Sequence, residues 1–92
     1  MRMMAVIIKS ATAGTLESSD VYVEVGPGRG CIDLSLESVV EQQFGDDIRQ
    51  SVREVLSECG CDDIDIRIID RGALDCVIRA RVETAVRRGG MN

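Results

Sequence analysis

The sequence has no histidine, two aromatic side chains (Tyr22 and Phe44) and no apolar run near the ~20 residues that cross a bilayer. Each absence excludes something. Without histidine there is no side chain whose unperturbed pKa lies near neutrality, which removes Ser-His and Cys-His nucleophiles and His-containing metal sites. Catalysis by the chain would have to draw on perturbed carboxylates, lysine or thiols, or on a cofactor. With 11 Lys+Arg against 16 Asp+Glu the formal net charge is −5, so nothing attracts a nucleic-acid backbone, and two aromatics make no stacking platform for bases. No nucleic-acid partner is expected. The apolar segment from Met3 to Ile8 is too short for a signal-peptide core followed by a cleavage site, so the expected compartment is the cytoplasm, with no membrane partner.

What remains is a chain of 92 residues, 45% hydrophobic and 29% charged, whose apolar content is aliphatic. That length holds one core, hence a single domain over residues 1–92, with 1–9 and 89–92 read as flexible ends. A core of this size leaves a narrow stability margin, which burial against partner subunits would widen. Charge is unevenly placed: residues 1–65 carry 5 basic and 13 acidic side chains, whereas residues 66–92 carry 6 and 3. A C-terminal helix bearing Arg79, Arg81, Arg87 and Arg88 either meets an acidic partner surface or, more simply, complements the negative end of its own dipole. Cys31, Cys59, Cys61 and Cys76 in a cytosolic chain read as reduced, buried thiols. Cys59-Gly60-Cys61 is close enough for a metal or redox site. Zinc, however, wants about four ligands and the other thiols are distant in sequence, so structural thiols are the better reading and no metal is expected.

Small and β-branched residues dominate Ser10 to Glu17, and Asp20-Val21-Tyr22-Val23-Glu24-Val25 alternates, with Val21, Val23 and Val25 on one face. The polar Glu17-Ser18-Ser19-Asp20 between these stretches suits a tight hairpin turn. Gly26-Pro27-Gly28-Arg29-Gly30 reverses the chain again. Ile32, Leu34 and Leu36 then alternate with Asp33, Ser35 and Glu37 in a third strand antiparallel to the second. Ser38-Val39-Val40-Glu41 has the capping-box pattern, and Val40, Phe44, Ile48, Val52, Val55, Leu56 and Cys59 follow at helical spacing on one face. Gly45 inside that pattern costs about 1 kcal/mol against alanine and allows a kink there or a restart at Asp46. Gly60 ends the helix, and Ile64, Ile66 and Ile68 mark another strand. Residues 74–86 fit both periods, but their length favours a helix starting near Asp70 or Gly72 and ending before Gly89-Gly90. The expected fold is α+β: a single small domain of β-β-β-α-β-α order, with two helices packed on one face of an antiparallel or mixed sheet.

Few of these features carry chemistry. The glycines at 26–30 lie between two strands, whereas a phosphate loop leads from a strand into a helix, so they form a turn. Asp46-Asp47 and Asp62-Asp63-Ile64-Asp65 lack EF-hand spacing and read as solvated or capping charges. The Glu17–Asp20 segment differs, because a hairpin tip exposes its hydroxyls to a modifying enzyme and leaves an attached group free to swing. On residue chemistry alone, a serine in a turn is ordinary.

Ala13-Gly14-Thr15-Leu16-Glu17-Ser18 followed by Ser19-Asp20-Val21 resembles the N-terminal signature of the citrate lyase acyl carrier family, the gamma subunit of that enzyme. Val40-Glu41-Gln42-Gln43-Phe44-Gly45-Asp46-Asp47-Ile48-Arg49 is similar to the family's first-helix block. Gly72-Ala73-Leu74-Asp75-Cys76-Val77-Ile78-Arg79-Ala80-Arg81-Val82-Glu83 is similar to its C-terminal block. The three blocks stand in order and frame residues from about 11 to 88. Residues 1–9 match no motif, and the chain lacks an extended tail after Arg88.

The resemblance implies a non-catalytic carrier subunit. In the family, the serine of the Leu-Glu-Ser context, here Ser18, is joined through a phosphodiester to 2'-(5''-phosphoribosyl)-3'-dephospho-coenzyme A, whose terminal thiol carries acetyl or citryl. The implied partners are the alpha subunit, which exchanges acetate for citrate on the thiol, the beta subunit, which cleaves citryl-carrier to oxaloacetate, and the transferase that attaches the group. Ser19 is adjacent and chemically equivalent, so Ser18 is assigned by its place in the motif. Glu17 and Asp20 form an acidic tip that a basic transferase surface would read. Two readings compete with the carrier: a protein-binding or assembly domain without a prosthetic group, and a small metal or redox protein built on Cys59 and Cys61.

Overall fold

β-Branched residues at every second position place β3 (Val21–Pro27) and β5 (Ile64–Asp70) at the centre of a four-stranded sheet. In the computed structural model, which describes residues 5–91, Val21, Val23 and Val25 of β3 and Ile64, Ile66 and Ile68 of β5 are at most 1% exposed. β2 (Ala11–Gly14) and β4 (Ile32–Ser38) are the edges, in the order β2-β3-β5-β4. Two helices, α1 (Glu41–Glu58) and α2 (Asp75–Gly89), cover one face, as the α+β expectation has it. Short strands β1 (Val6–Ile7) and β6 (Gly90–Met91) pair with each other beside the main sheet.

The third strand does not lie against the second. β4 runs parallel to β5, from Ile32↔Ile64 to Ser38↔Asp70, and β5 is inserted between β4 and β3, antiparallel to the latter. Burial decides this order. Ile64, Ile66 and Ile68 of β5 lose all contact with solvent in a strand paired on both sides, whereas Ile32, Leu34 and Leu36 of β4 stay half-buried and alternate with exposed Asp33, Ser35 and Glu37, a pattern suited to an edge. Parallel neighbours need a long crossover, and α1, 18 residues and about 27 Å long, supplies it.

Helix boundaries also differ from the sequence reading. The N-cap of α1 is Val40, with no side-chain cap; Ser38 is still in β4, where its hydroxyl donates to Asp70 Oδ2 at 2.7 Å and accepts the Val40 N–H at 3.1 Å. Two residues before the N-cap it is too early to cap the helix. The helix passes Gly45 without interruption, and Gly45 is buried while Phe44 is 50% exposed, so Ile48, Val52, Val55 and Leu56 carry the packing. α2 starts at Asp75 because β5 extends through Asp70 and residues 71–74 form a link containing Gly72 at φ +92°. Gly89 lies inside the helix, with Gly90 as its C-cap.

The helices are joined by a polar staple. Ser51, 6% exposed on α1, donates to Asp75 Oδ1; Arg79 Nε donates to Asp75 Oδ2 at 2.8 Å, and its Nη2 reaches Glu54. Of the ends read as flexible, the described part is bonded to the body: Ala5 N–H donates to Cys59 O, Ile8 and Lys9 N–H to Gly89 O, and Ile7 is 6% exposed. Residues 1–4 and 92 lie outside the described residues.

Candidate functional site

The hairpin joining β2 and β3 places Thr15 to Asp20 at one end of the sheet, with Ser18 and Ser19 both exposed in its turn. Its shape is set by hydrogen bonds inside and outside the loop. Within it, Asp20 N–H donates to Glu17 O at 3.2 Å and Glu17 N–H to Thr15 Oγ1 at 3.2 Å. Outside it, the first residue after β5 extends the sheet by one rung: Ser19 N–H donates to Arg71 O and Arg71 N–H to Asp20 O, both at 2.9 Å. Ser19 adopts φ +66°, the left-handed conformation that residues with a Cβ avoid. The Ser18 hydroxyl has no hydrogen-bond partner among the described residues.

Asp20 is the hub of the turn. Its carboxylate accepts the Thr15 hydroxyl at 2.7 Å, the Val21 N–H at 2.8 Å, and Nε and Nη2 of Arg81 at 3.3 Å each. The Thr15 hydroxyl first and then the Val21 amide hold this carboxyl below the usual range against an opposing desolvation, with the Arg81 guanidinium adding a smaller lowering. Arg81 stands on α2, so the clamp fixes the loop to the helical layer. Gly14 makes room for it: a Cβ there would meet the Val21 carbonyl oxygen at 1.8 Å and Arg81 Cδ at 3.3 Å, and its φ is +86°. The Ala-Gly-Thr part of the signature therefore has a physical reason, a strand end where glycine alone fits and a threonine whose hydroxyl reaches Asp20.

The link that accepts Ser19 is itself anchored. Asp70, 2% exposed, accepts the Ala73 N–H at 2.9 Å and the Ser38 hydroxyl, tying the 71–74 link to the end of β4. Arg71 is exposed and, among the described residues, its guanidinium has no ion-pair partner. Beside it Leu74, 71% exposed, and Phe44 line a shallow groove of about 280 Å³ between α1 and the link.

Other sequence candidates are placed elsewhere. The acidic tip reduces to Glu17, because Asp20 turns to Arg81. Of the C-terminal arginines, Arg79 and Arg87 pair with carboxylates of their own chain, and Arg88 Nη1 donates to Thr12 O on edge strand β2. All four cysteines are unpaired; Cys61 is buried, Cys59 half-buried, and burial pushes both thiols up, while Cys31 and Cys76 are exposed rather than buried. Among the described residues no group of three potential ligands could hold a metal ion. Gly26 and Pro27 belong to β3 rather than to the turn, and Asp63 is not merely solvated, since its carboxylate accepts the Gly30 N–H at 2.9 Å and ties the turn after β3 to the residue before β5. Sequence periodicity missed Arg81, Arg71 and Thr15 as parts of the site. The Asp20–Arg81 pair spans 61 residues, and its only trace was the presence of both residues in the signature blocks.

Comparison with known proteins places the chain among acyl carrier relatives. Residues 8–89 match the family described as ACP: Malonate decarboxylase delta subunit (MdcD). The chain is 54% identical over 83 residues to the citrate lyase acyl carrier protein of Escherichia fergusonii, covering 89% of this chain and 86% of that one. It is 51% identical to that of Serratia proteamaculans, with 89% and 81% covered, and 46% identical over 82 residues to that of Streptococcus uberis, with the same shares. In fold it is similar to a chain of a Pseudomonas malonate decarboxylase hetero-tetramer solved in complex with malonate. The TM-score is 0.77 at 19% identity, with 97% of this chain and 91% of that chain covered.

Proposed function

The chain belongs to the citrate lyase acyl carrier protein family, and from that premise we propose that Ser18 is the residue to which its prosthetic group is covalently joined. Its role is that of an acyl carrier in citrate lyase. Ser18 is chosen by its place in the Leu-Glu-Ser motif, and the observation that supports it is an exposed hydroxyl without a hydrogen-bond partner among the described residues, on a turn held to the sheet by Arg71 and to α2 by Arg81. Such a hydroxyl suits a phosphodiester, because no hydrogen bond within the chain is lost when the oxygen becomes an ester.

The group is 2'-(5''-phosphoribosyl)-3'-dephospho-coenzyme A, which when bound supplies a terminal thiol for acetyl and citryl. The residues of the chain supply the fixed base. Ser18 would hold the ester oxygen, the Asp20 clamp would orient the turn, and Arg71, an exposed arginine whose backbone pairs with Ser19 and Asp20, would add positive charge to this end of the sheet. The chain itself is non-catalytic; a tethered thioester reaches the active sites of the alpha and beta subunits at high effective concentration. Four unpaired cysteines suit a cytoplasmic setting.

Intact-mass measurement on protein co-expressed with the attaching enzymes tests the assignment. A single adduct of cofactor mass is expected, mapping to Ser18 and absent from Ser18→Ala. An unmodified chain, or an adduct on Ser10 or Ser35, overturns it.

A further inference from the structure

Ser18 and Ser19 are neighbours with the same hydroxyl, both exposed and both reachable from solvent. Intrinsic reactivity cannot separate them, so a transferase that modifies one of the two must respond to how the backbone presents them. The structure treats them unequally. Ser19 is in the left-handed region at φ +66°, its N–H is engaged by Arg71 O, and the next residue is held by Arg71 N–H and by the Asp20 clamp. Ser18 sits one residue further out, with no cross-link to the 71–74 link. Moving the Ser19 backbone outward to an active site would break its N–H bond to Arg71 O. Ser18 can be engaged with every bond of the turn intact.

We propose that the Asp20–Arg81 clamp selects Ser18 over Ser19 for modification by locking Ser19 against the 71–74 link, which makes Asp20 and Arg81 positioning residues for the attachment reaction. The proposal rests on the reading of Ser18 as the attachment site. The reaction forms an ester bond between the serine oxygen and the phosphorus of an activated phosphoryl donor. The bond from that phosphorus to its phosphate leaving group breaks with its electron pair, and the hydroxyl proton passes to the transferase. Neither Asp20 nor Arg81 touches the reacting atoms. They act through the loop, where Thr15, Val21 and Arg81 converge on one carboxylate.

The clamp is removed by Arg81→Met, which keeps the stem that passes over Gly14 and loses the guanidinium. Two readouts on the full-length chain test it: the rate and position of modification by intact and fragment mass, and amide exchange at Ser19 in the unmodified protein. We expect Arg81→Met to slow modification of Ser18 at least tenfold, to speed Ser19 amide exchange at least tenfold, and to place part of the adduct on Ser19. Arg81→Lys restores most of the rate and the site. In a Ser18→Ala background the intact clamp leaves Ser19 unmodified, and adding Arg81→Met opens it. An adduct on Ser19 in Ser18→Ala alone, or unchanged rate, site and exchange in Arg81→Met, overturns the clamp while leaving Ser18 as the attachment site. A wild-type chain modified at neither serine overturns both readings.

Discussion

Gly14→Ala is the substitution that tests most directly how the signature segment is built. Gly14 closes β2 at φ +86°, and a Cβ added there would lie 1.8 Å from the Val21 carbonyl oxygen and 3.0 Å from its carbon. Two costs arise. A residue with a Cβ in left-handed backbone loses about 1–2 kcal/mol, offset by ~0.4–1 kcal/mol from the stiffer unfolded chain, for a net loss near 1 kcal/mol. The clash comes on top. Its partner is backbone of β3, which pairs with β5 on its far side and cannot rotate away, so β2 must shift and the Gly14↔Tyr22 end of the ladder must open. Overpacking of this kind costs ~1–3 kcal/mol, which brings the total to about 3 kcal/mol.

Gly30 provides the control. It has a similar φ of +96° but nothing within 4 Å of an added Cβ, so Gly30→Ala carries only the first cost, about 1 kcal/mol. Thermal unfolding separates the two. For a domain of this size each kcal/mol moves Tm by ~4–8 °C, giving a fall of about 12–24 °C for Gly14→Ala and about 4–8 °C for Gly30→Ala. Because Arg81 Cδ is 3.3 Å from the same point, Gly14→Ala also displaces the clamp and slows modification of Ser18. Equal Tm values for the two variants, or Gly14→Ala within about 3 °C of the wild type, would refute the reasoning.

Two further outcomes follow from burial and charge. Ile66, fully buried at the middle of β5, should cost about 4 kcal/mol as Ile66→Ala in urea unfolding, whereas Leu74→Ala, at a position 71% exposed, should cost under about 0.5 kcal/mol; similar midpoints would contradict the placement of the core. The carboxyls of Asp20, Glu54 and Asp75 are held below their usual range, chiefly by the Thr15 hydroxyl, the Arg79 guanidinium and the Ser51 hydroxyl respectively. A folded pKa below the unfolded one contributes stability above the ordinary carboxylate pKa of about 4 and loses it as pH falls through the folded value. With no histidine to titrate, stability should stay level from about pH 5 to pH 8 and drop below about pH 4, and a decline beginning near pH 6 would count against this assignment.

The sequence made visible what depends on neighbours in the chain. Val21, Val23 and Val25 announce a half-buried strand by period alone, as Ile48, Val52, Val55 and Leu56 announce a helix, and both are found buried. The turn at Ser18 was visible too, since polar residues separate two apolar runs. Strand order was not. Placing β5 between β3 and β4 requires comparing burial across the whole sheet, which no window of β4 contains. The capping box failed for a related reason: Ser38 pairs with Asp70 and bonds to its carboxylate, and that long-range partner holds it in the strand. The clamp is the extreme case, because no local pattern at Asp20 points to an arginine on α2.

The missing histidine is consistent with what the turn has to do. A carrier presents one tethered group to different active sites, so the geometry of its anchoring loop should not depend on the local pH near each site. The bonds that shape the Ser18 turn are backbone amides to carbonyls, a threonine hydroxyl, and a carboxylate–guanidinium pair. None of these titrates between about pH 5 and pH 8, whereas a histidine in Arg81's place would release Asp20 over that interval. Lysine would keep the charge but offer a point donor in place of the fork by which Arg81 engages both carboxylate oxygens. An arginine therefore keeps both Asp20 oxygens engaged throughout, and with them the turn in which the Ser19 amide is bonded to Arg71 while Ser18 has no such bond.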